Sequence, residues 1–186
     1  MSYHDDTLTV RLRAVRDTDL EAFLAFEHDG EALRRSRFTP RPRDRFMAHW
    51  RDSVLGDETC LVRTVTVGGQ PAGHVVSWWE GERRFLGYWL GRPYWGRGIG
   101  TAALRRYLDD EEPVRPLYAD PFSGNTASVR LLEKLGFQHA GTLRHGDDEH
   151  TLLVLPPTPQ AGLSPPGHRP ARHPHPPPDQ TRHPGR

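Results

Sequence analysis

The sequence predicts an α+β (mixed α/β) fold, a largely antiparallel twisted sheet of about seven strands covered by about four helices. Three observations carry that reading. Apolar and polar residues alternate over short runs towards both ends of the chain, the period of a strand with one buried face. The pair Gly68-Gly69 separates two such runs, as the turn of a hairpin does. Between residues 91 and 137 the period twice lengthens to that of a helix around one short strand, the arrangement of a single parallel crossover.

Taken in order, Leu8, Val10, Leu12 and Ala14 alternate as the first strand. Thr18 and Glu21 have the spacing of a capping box and open a helix whose apolar face is Leu20, Phe23 and Leu24. The Arg-rich segment that follows reads as a loop. After Pro40 and Pro42 a second helix presents Phe46, Met47, Trp50 and Val54. Runs 59–67, 73–79 and 85–90 form a three-stranded meander. Ile99, Ala103, Tyr107 and Leu108 mark a helix ended by Pro113, and 116–119 is a short strand. Asn125 opens the last helix, which carries Val129, Leu132 and Leu135 and is closed by Gly136. A hairpin of 138–143 and 150–155 completes the order.

Composition sets the limits. The 186 residues suit one domain with an appendage. From Pro156 to Arg186 eleven of thirty-one residues are proline and the largest apolar side chain is Leu163. That stretch cannot bury a core and is expected to be a disordered Pro/His/Arg-rich tail, 156–186, behind a folded domain, 1–155. Residues 1–155 carry 21 Lys and Arg against 23 Asp and Glu, a balance that argues against nucleic acid as a partner. The single Cys60 excludes an internal disulfide, and its alternating run predicts a small core residue. No apolar run reaches the roughly 18 residues of a membrane span and the first residues are not a basic leader, which predicts no membrane association and a cytoplasmic location.

The most informative segment is Tyr94-Trp95-Gly96-Arg97-Gly98-Ile99-Gly100-Thr101, between a predicted strand and a predicted helix. Alternate glycines strip the backbone so that successive N–H groups can face an anion, the helix adds its positive end, and Arg97 adds a charge. A diphosphate fits that chemistry. The Gly-Lys-Ser/Thr ending of a P-loop is missing. Gly98, Gly100 and Ala103, with Asp120 twenty residues after Gly100, fit a dinucleotide fingerprint. Yet these glycines fall beyond Pro93, several residues past the strand, and one crossover is too few for a doubly wound sheet.

Residues 86–137 run from Leu86-Gly87-Tyr88-Trp89-Leu90 through the glycine segment to Gly124-Asn125-Thr126-Ala127-Ser128 and Glu133-Lys134-Leu135-Gly136-Phe137. They resemble the GNAT superfamily of acetyl-CoA-dependent N-acetyltransferases, in particular the branch of ribosomal-protein N-terminal acetyltransferases. The resemblance implies a GNAT-like sheet, acetyl-CoA as cosubstrate, and a diphosphate loop at Trp95, Gly96, Arg97, Gly98, Ile99, Gly100 and Thr101, with Arg97, Gly98 and Gly100 donating backbone N–H groups. It implies that two strands splay apart near Trp89 and Leu90, where backbone pairs with the cofactor arm and polarises the acetyl carbonyl. Asn125 then touches that arm, and Ser128 lies near the thiol and protonates the leaving thiolate.

Many relatives carry Glu at the start of that strand, where this chain has Phe85. Direct attack needs a neutral amine: at pH 7 neutralising an α-amine of pKa ~8 costs about 1.4 kcal/mol, and a lysine amine of pKa ~10.4 about 4.6 kcal/mol. The missing Glu therefore favours a protein N-terminal α-amine as acceptor, with a small amine or antibiotic as the other options. Glu80 is the catalytic carboxylate of this reading; Glu82, Asp120 and His74 are the alternatives, His74 being expected as a hydrogen-bonded sheet residue. Trp78, Trp79, Trp89 and Trp95 are expected to fill the core or line the acceptor pocket. His139, His145 and His150 on the last hairpin lack Cys or closely spaced carboxylate partners, so no metal is expected. The rival functions are a CoA-binding module without catalysis and a dinucleotide-binding protein.

Overall fold

The computed structural model describes residues 9–157; Leu8 and the tail from position 158 onward lie outside the described residues. Within them the order is β1 (Val10–Arg13), α1 (Asp19–Glu27), α2 (Gly30–Ser36), α3 (Arg43–Ala48), β2 (Leu61–Val67), β3 (Gln70–Glu80), β4 (Arg83–Leu90), α4 (Ile99–Arg106), β5 (Leu117–Ala119), α5 (Thr126–Lys134), β6 (Gln138–His145) and β7 (Asp148–Leu155). A π-helical turn extends α3 over His49–Val54 and another extends α4 over Tyr107–Glu111. The strands form one sheet in the order β1-β2-β3-β4-β5-β7-β6. Every pair is antiparallel except β4 with β5.

Local chemistry explains the meander. Gly68 and Gly69 have φ of +57° and +79°, the pair of left-handed residues that a two-residue hairpin turn needs. Along β3 the faces alternate. His74 packs between the rings of Phe23 and Trp50, and Val76 joins the same cluster of Leu20, Phe46, Met47 and Val62 under α1 and α3. Val75 points the other way, into a cluster of Val65, Leu86, Ile99, Ala103, Leu104 and Tyr107 to which Leu132 of α5 also belongs. Both sheet faces are thus buried, which places the meander inside a helix–sheet–helix sandwich.

Four expectations change. No capping bond comes from Thr18, whose φ and ψ are already helical; Asp19 organises the start of α1 by accepting from the Arg16 N–H at 2.9 Å and the Thr64 hydroxyl at 2.8 Å. The Arg-rich segment is a helix, α2, because Asp29 caps it by accepting from the N–H groups of Glu31 and Ala32 and Glu31 pairs with Arg34 and Arg35 one turn on. Among the described residues five α-helices stand where about four were expected. Cys60 precedes β2 and is only half-buried, beside Asp57 and Ser53.

Candidate functional site

β4 and β5 pair only at Arg84↔Leu117 and Phe85↔Tyr118, whereas β4 keeps its β3 partner as far as Leu90↔Gly73. From Leu86 to Leu90 one edge of β4 therefore has no strand beside it, and its backbone groups call for another partner. The gap widens into a cleft of about 690 Å³.

Trp89, Leu90, Trp95, Gly96, Gly98, Ile99, Gly100, Thr101, Asn125 and Ser128 all line that cleft. Arg97 does not: its guanidinium turns back to the Pro93 carbonyl at 3.4 Å. Gly96 and Gly98 have φ of +67° and +74°, and a Cβ at either would meet nothing within 4 Å. Glycine serves the left-handed backbone there, not clearance. Gly100 is the opposite case, since a Cβ would stand 2.9 Å from Leu131 Cδ1 and 3.1 Å from Leu90 Cδ1; it lets α4 approach β4 and α5. Because α4 starts at Ile99, the N–H groups of its first turn have no intrahelical acceptors and offer partial positive charge beside the glycine loop.

At the start of α5 the Asn125 Oδ1 accepts from the Ser128 N–H at 3.3 Å, which presents the Ser128 hydroxyl to the cleft. Tyr88 on β4 faces it, with 2.7 Å between the two hydroxyl oxygens. Burial pushes the Tyr88 phenol up to about 12, outweighing the opposing hydrogen bond from Ser128, so it stays protonated near neutral pH. The sequence reading did not single out Tyr88; its signal was its alternation with Leu86 and Leu90.

α2 forms the lip. The Arg35 guanidinium lies 4.7 Å from the Trp95 ring centre and that of Arg37 lies 5.6 Å from Phe122, while Phe38 meets Trp89 edge-on. Trp78, Trp89 and Trp95 line the cleft; Trp79 is exposed and stacks under Arg84 outside it. Among the described residues the walls carry Arg35, Arg130 and Lys134 against one carboxylate, Asp120.

Of the proposed bases, only Asp120 is on the wall. Glu80 sits opposite Arg83 at the tip of the β3–β4 hairpin, beyond the closed end of the cleft, and with its neighbour Glu82 is exposed. Strand alternation and the hairpin register carry it away from Tyr88 and Ser128. His74 lies under α1 and α3, and its Nδ1 is buried without a partner, contrary to the hydrogen-bonded histidine expected. Phe85, in the position of the absent Glu, is core, packed against Trp78 and Tyr118.

Where the strands part, Arg84 of β4 belongs to a buried polar group. Arg84 bonds Glu112 through Nε at 3.0 Å, the Thr59 carbonyl at 2.6 Å and the Ser77 hydroxyl at 3.0 Å. Glu112 also contacts Ser77 and accepts from the Val114 N–H at 3.0 Å. Nothing local in the sequence announced a pair 28 residues apart.

Residues 9–138 match the family described as Acetyltransferase (GNAT) domain. An aminoglycoside N(6′)-acetyltransferase of Klebsiella pneumoniae is 26% identical over 119 residues, which cover 55% of this chain and 59% of that protein. The chain thus spans under two thirds of the curated relatives' length in these matches. A crystal structure of an aminoglycoside acetyltransferase in complex with coenzyme A superposes with a TM-score of 0.66 at 23% identity, covering 80% of this chain and 95% of that one. A spermidine N-acetyltransferase from Vibrio cholerae in complex with CoA and spermine gives 0.66 at 14% identity, over 78% and 95% of the two chains. These structures share the fold. The expected resemblance to the ribosomal-protein branch is not matched by these relatives, which are named as aminoglycoside and spermidine acetyltransferases.

Proposed function

The chain belongs to the GNAT acetyltransferase family, and on that premise we propose that it is an acetyl-CoA-dependent N-acetyltransferase acting by direct transfer to an amine. The observation that carries the proposal is the parting of β4 from β5 beside a left-handed glycine loop and a helix start. These residues fit coenzyme A: the loop N–H groups and α4 suit a diphosphate, Arg130 and Lys134 of α5 suit further phosphate, and the bare edge of β4 suits an amide-bearing arm. Coenzyme A when bound supplies the acetyl thioester that the amine attacks. The protonated Tyr88 hydroxyl, 2.7 Å from that of Ser128, would be the group on the cleft wall able to give a proton to the leaving thiolate. Glu80 has no part in this arrangement.

The favoured acceptor is the α-amine of a peptide. Phe85 leaves no Glu base at its position, which suits an amine of low pKa. The names of the relatives support a second reading, a small-molecule amine. Incubating the protein with acetyl-CoA and a peptide with a free N-terminus, kanamycin or spermine, and following thiol release and the gain of one acetyl mass, separates these. Peptide acetylation is the expected result. Coenzyme binding without turnover on any amine indicates a binding module, and displacement of the coenzyme by NAD indicates the dinucleotide reading.

Two substitutions test the roles assigned. Tyr88→Phe is expected to lower kcat by about 10²-fold while the KM for acetyl-CoA stays within a few-fold; an unchanged kcat removes Tyr88 from the proton path. Gly98→Val forces a β-branched residue into left-handed backbone, a strain of about 1–2 kcal/mol. The free loop is expected to relax out of that conformation, so the thermal midpoint of the free protein changes little and coenzyme binding has to restore the strain; titration calorimetry should then show coenzyme A binding about 5- to 30-fold more weakly.

A further inference from the structure

Among the described residues, Asp120 at the end of β5, His145 at the end of β6 and His150 on β7 bring one ligand atom each to within 4.8 Å of one another. We propose that these three side chains form a divalent transition-metal site that clips the β6–β7 hairpin to the β5–α5 loop.

The donor set has the right chemistry. Two imidazole nitrogens and one carboxylate oxygen select Zn²⁺ and its first-row neighbours over Mg²⁺ or Ca²⁺, which prefer all-oxygen shells. The orientation is prepared as well. His150 Nδ1 lies 2.7 Å from the Asp120 carbonyl oxygen; a carbonyl only accepts, so Nδ1 carries the hydrogen and the free lone pair is left on Nε2. A backbone carbonyl fixing the tautomer through the other ring nitrogen is how ligand histidines are commonly held. His145 Nε2 lies 2.9 Å from Asp120 Oδ2, and the two imidazoles meet edge to face with centres 4.5 Å apart.

Distances agree with closure on an ion. Metal–ligand bonds of about 2.0–2.1 Å in a tetrahedral shell put ligand atoms about 3.3–3.4 Å apart. His145 Nε2 and Asp120 Oδ2 are 2.9 Å apart, and one ligand atom of each of the three side chains lies within 4.8 Å of the others, so small side-chain adjustments complete the set. The backbone is already joined around it, by the Phe122–His150 bridge and by the Thr151 N–H to the Pro121 carbonyl at 2.9 Å. The inference stands on these three residues and does not depend on the acetyl-transfer reading.

The sequence beyond position 157 contains His168, His173, His175 and His183, which would themselves attract metal. The test therefore uses the full chain with those four replaced by Asn as the parent. Zn²⁺ is titrated against a chromogenic chelator, with Mg²⁺ as control. One equivalent of Zn²⁺ per chain is expected, weakened at least about tenfold in His145→Asn and in His150→Asn, with Mg²⁺ not competing. Zn²⁺ should raise the thermal midpoint of the parent and not of His145→Asn, whose side chain is exposed and whose metal-free midpoint should match the parent's. Equal zinc affinity in parent and variants, no stoichiometric binding by the parent, or displacement by equimolar Mg²⁺ would each overturn the proposal.

Discussion

Glu112→Gln is expected to lower folding stability by about 3–5 kcal/mol, the effect of stranding one charge of a buried pair. The carboxylate is almost wholly buried and receives Arg84, whose own side chain is buried too. Glutamine keeps the shape but leaves the Arg84 cation uncompensated between β2, β3 and the segment entering β5. Urea unfolding at pH 7.5 measures the loss, and a change below about 1 kcal/mol would show that water or the Thr59 carbonyl side of the network carries the cation instead. Replacing both partners, as Arg84→Met with Glu112→Leu, should recover most of the stability, since removing both charges spares the desolvation that each alone imposes.

The second large effect is acid sensitivity through His74. Although the residue as a whole keeps slight exposure, its Nδ1 is buried and unpartnered between Phe23 and Trp50, and burial pushes the imidazole down to about 3. The unfolded chain takes up this proton near the ordinary pKa of 6.5 and the folded chain does not. Stability from this group is therefore complete above about pH 6.5 and falls as the pH drops towards 3. By pH 5 the loss is about 2 kcal/mol. His74→Leu removes the titration, so its stability relative to the natural chain should improve by about that amount between pH 7.5 and pH 5. A difference that stays constant across that interval would mean the ring finds a partner when it charges. Asp19 adds nothing in this window. Burial raises its carboxyl, but bonds from Arg13, the Arg16 N–H and Thr64 outweigh that and hold it at about 2, so its share is lost only below the ordinary carboxylate range.

What the sequence made legible was whatever is encoded over a few neighbouring residues. Strand alternation from Val10 to Leu90, the Gly68-Gly69 turn, the loop Gly96–Thr101 and the Asn125 cap are local patterns, and each stands where expected. α2 was missed because it buries Ala32 alone and so shows no apolar stripe; the Asp29 cap and the arginines of its last turn were the signal available. The π-helical turns after α3 and α4 have no residue signature. Tyr88 could be placed on a strand but not opposite Ser128, since that contact joins positions 40 apart. The capping box at Thr18 misled because Asp19, next to it, had a better-placed partner in Arg13 across the β1–α1 turn.

The fork between β4 and β5 also acts as a ruler. Its prongs separate after Phe85 and its mouth opens past Leu90, a depth of five strand residues, or about 16 Å. The paired backbone at Arg84 and Phe85 closes its inner end. Whatever enters from the glycine loop meets a stop at a set distance, so the length of the guest's arm decides which of its atoms comes to rest beside Tyr88.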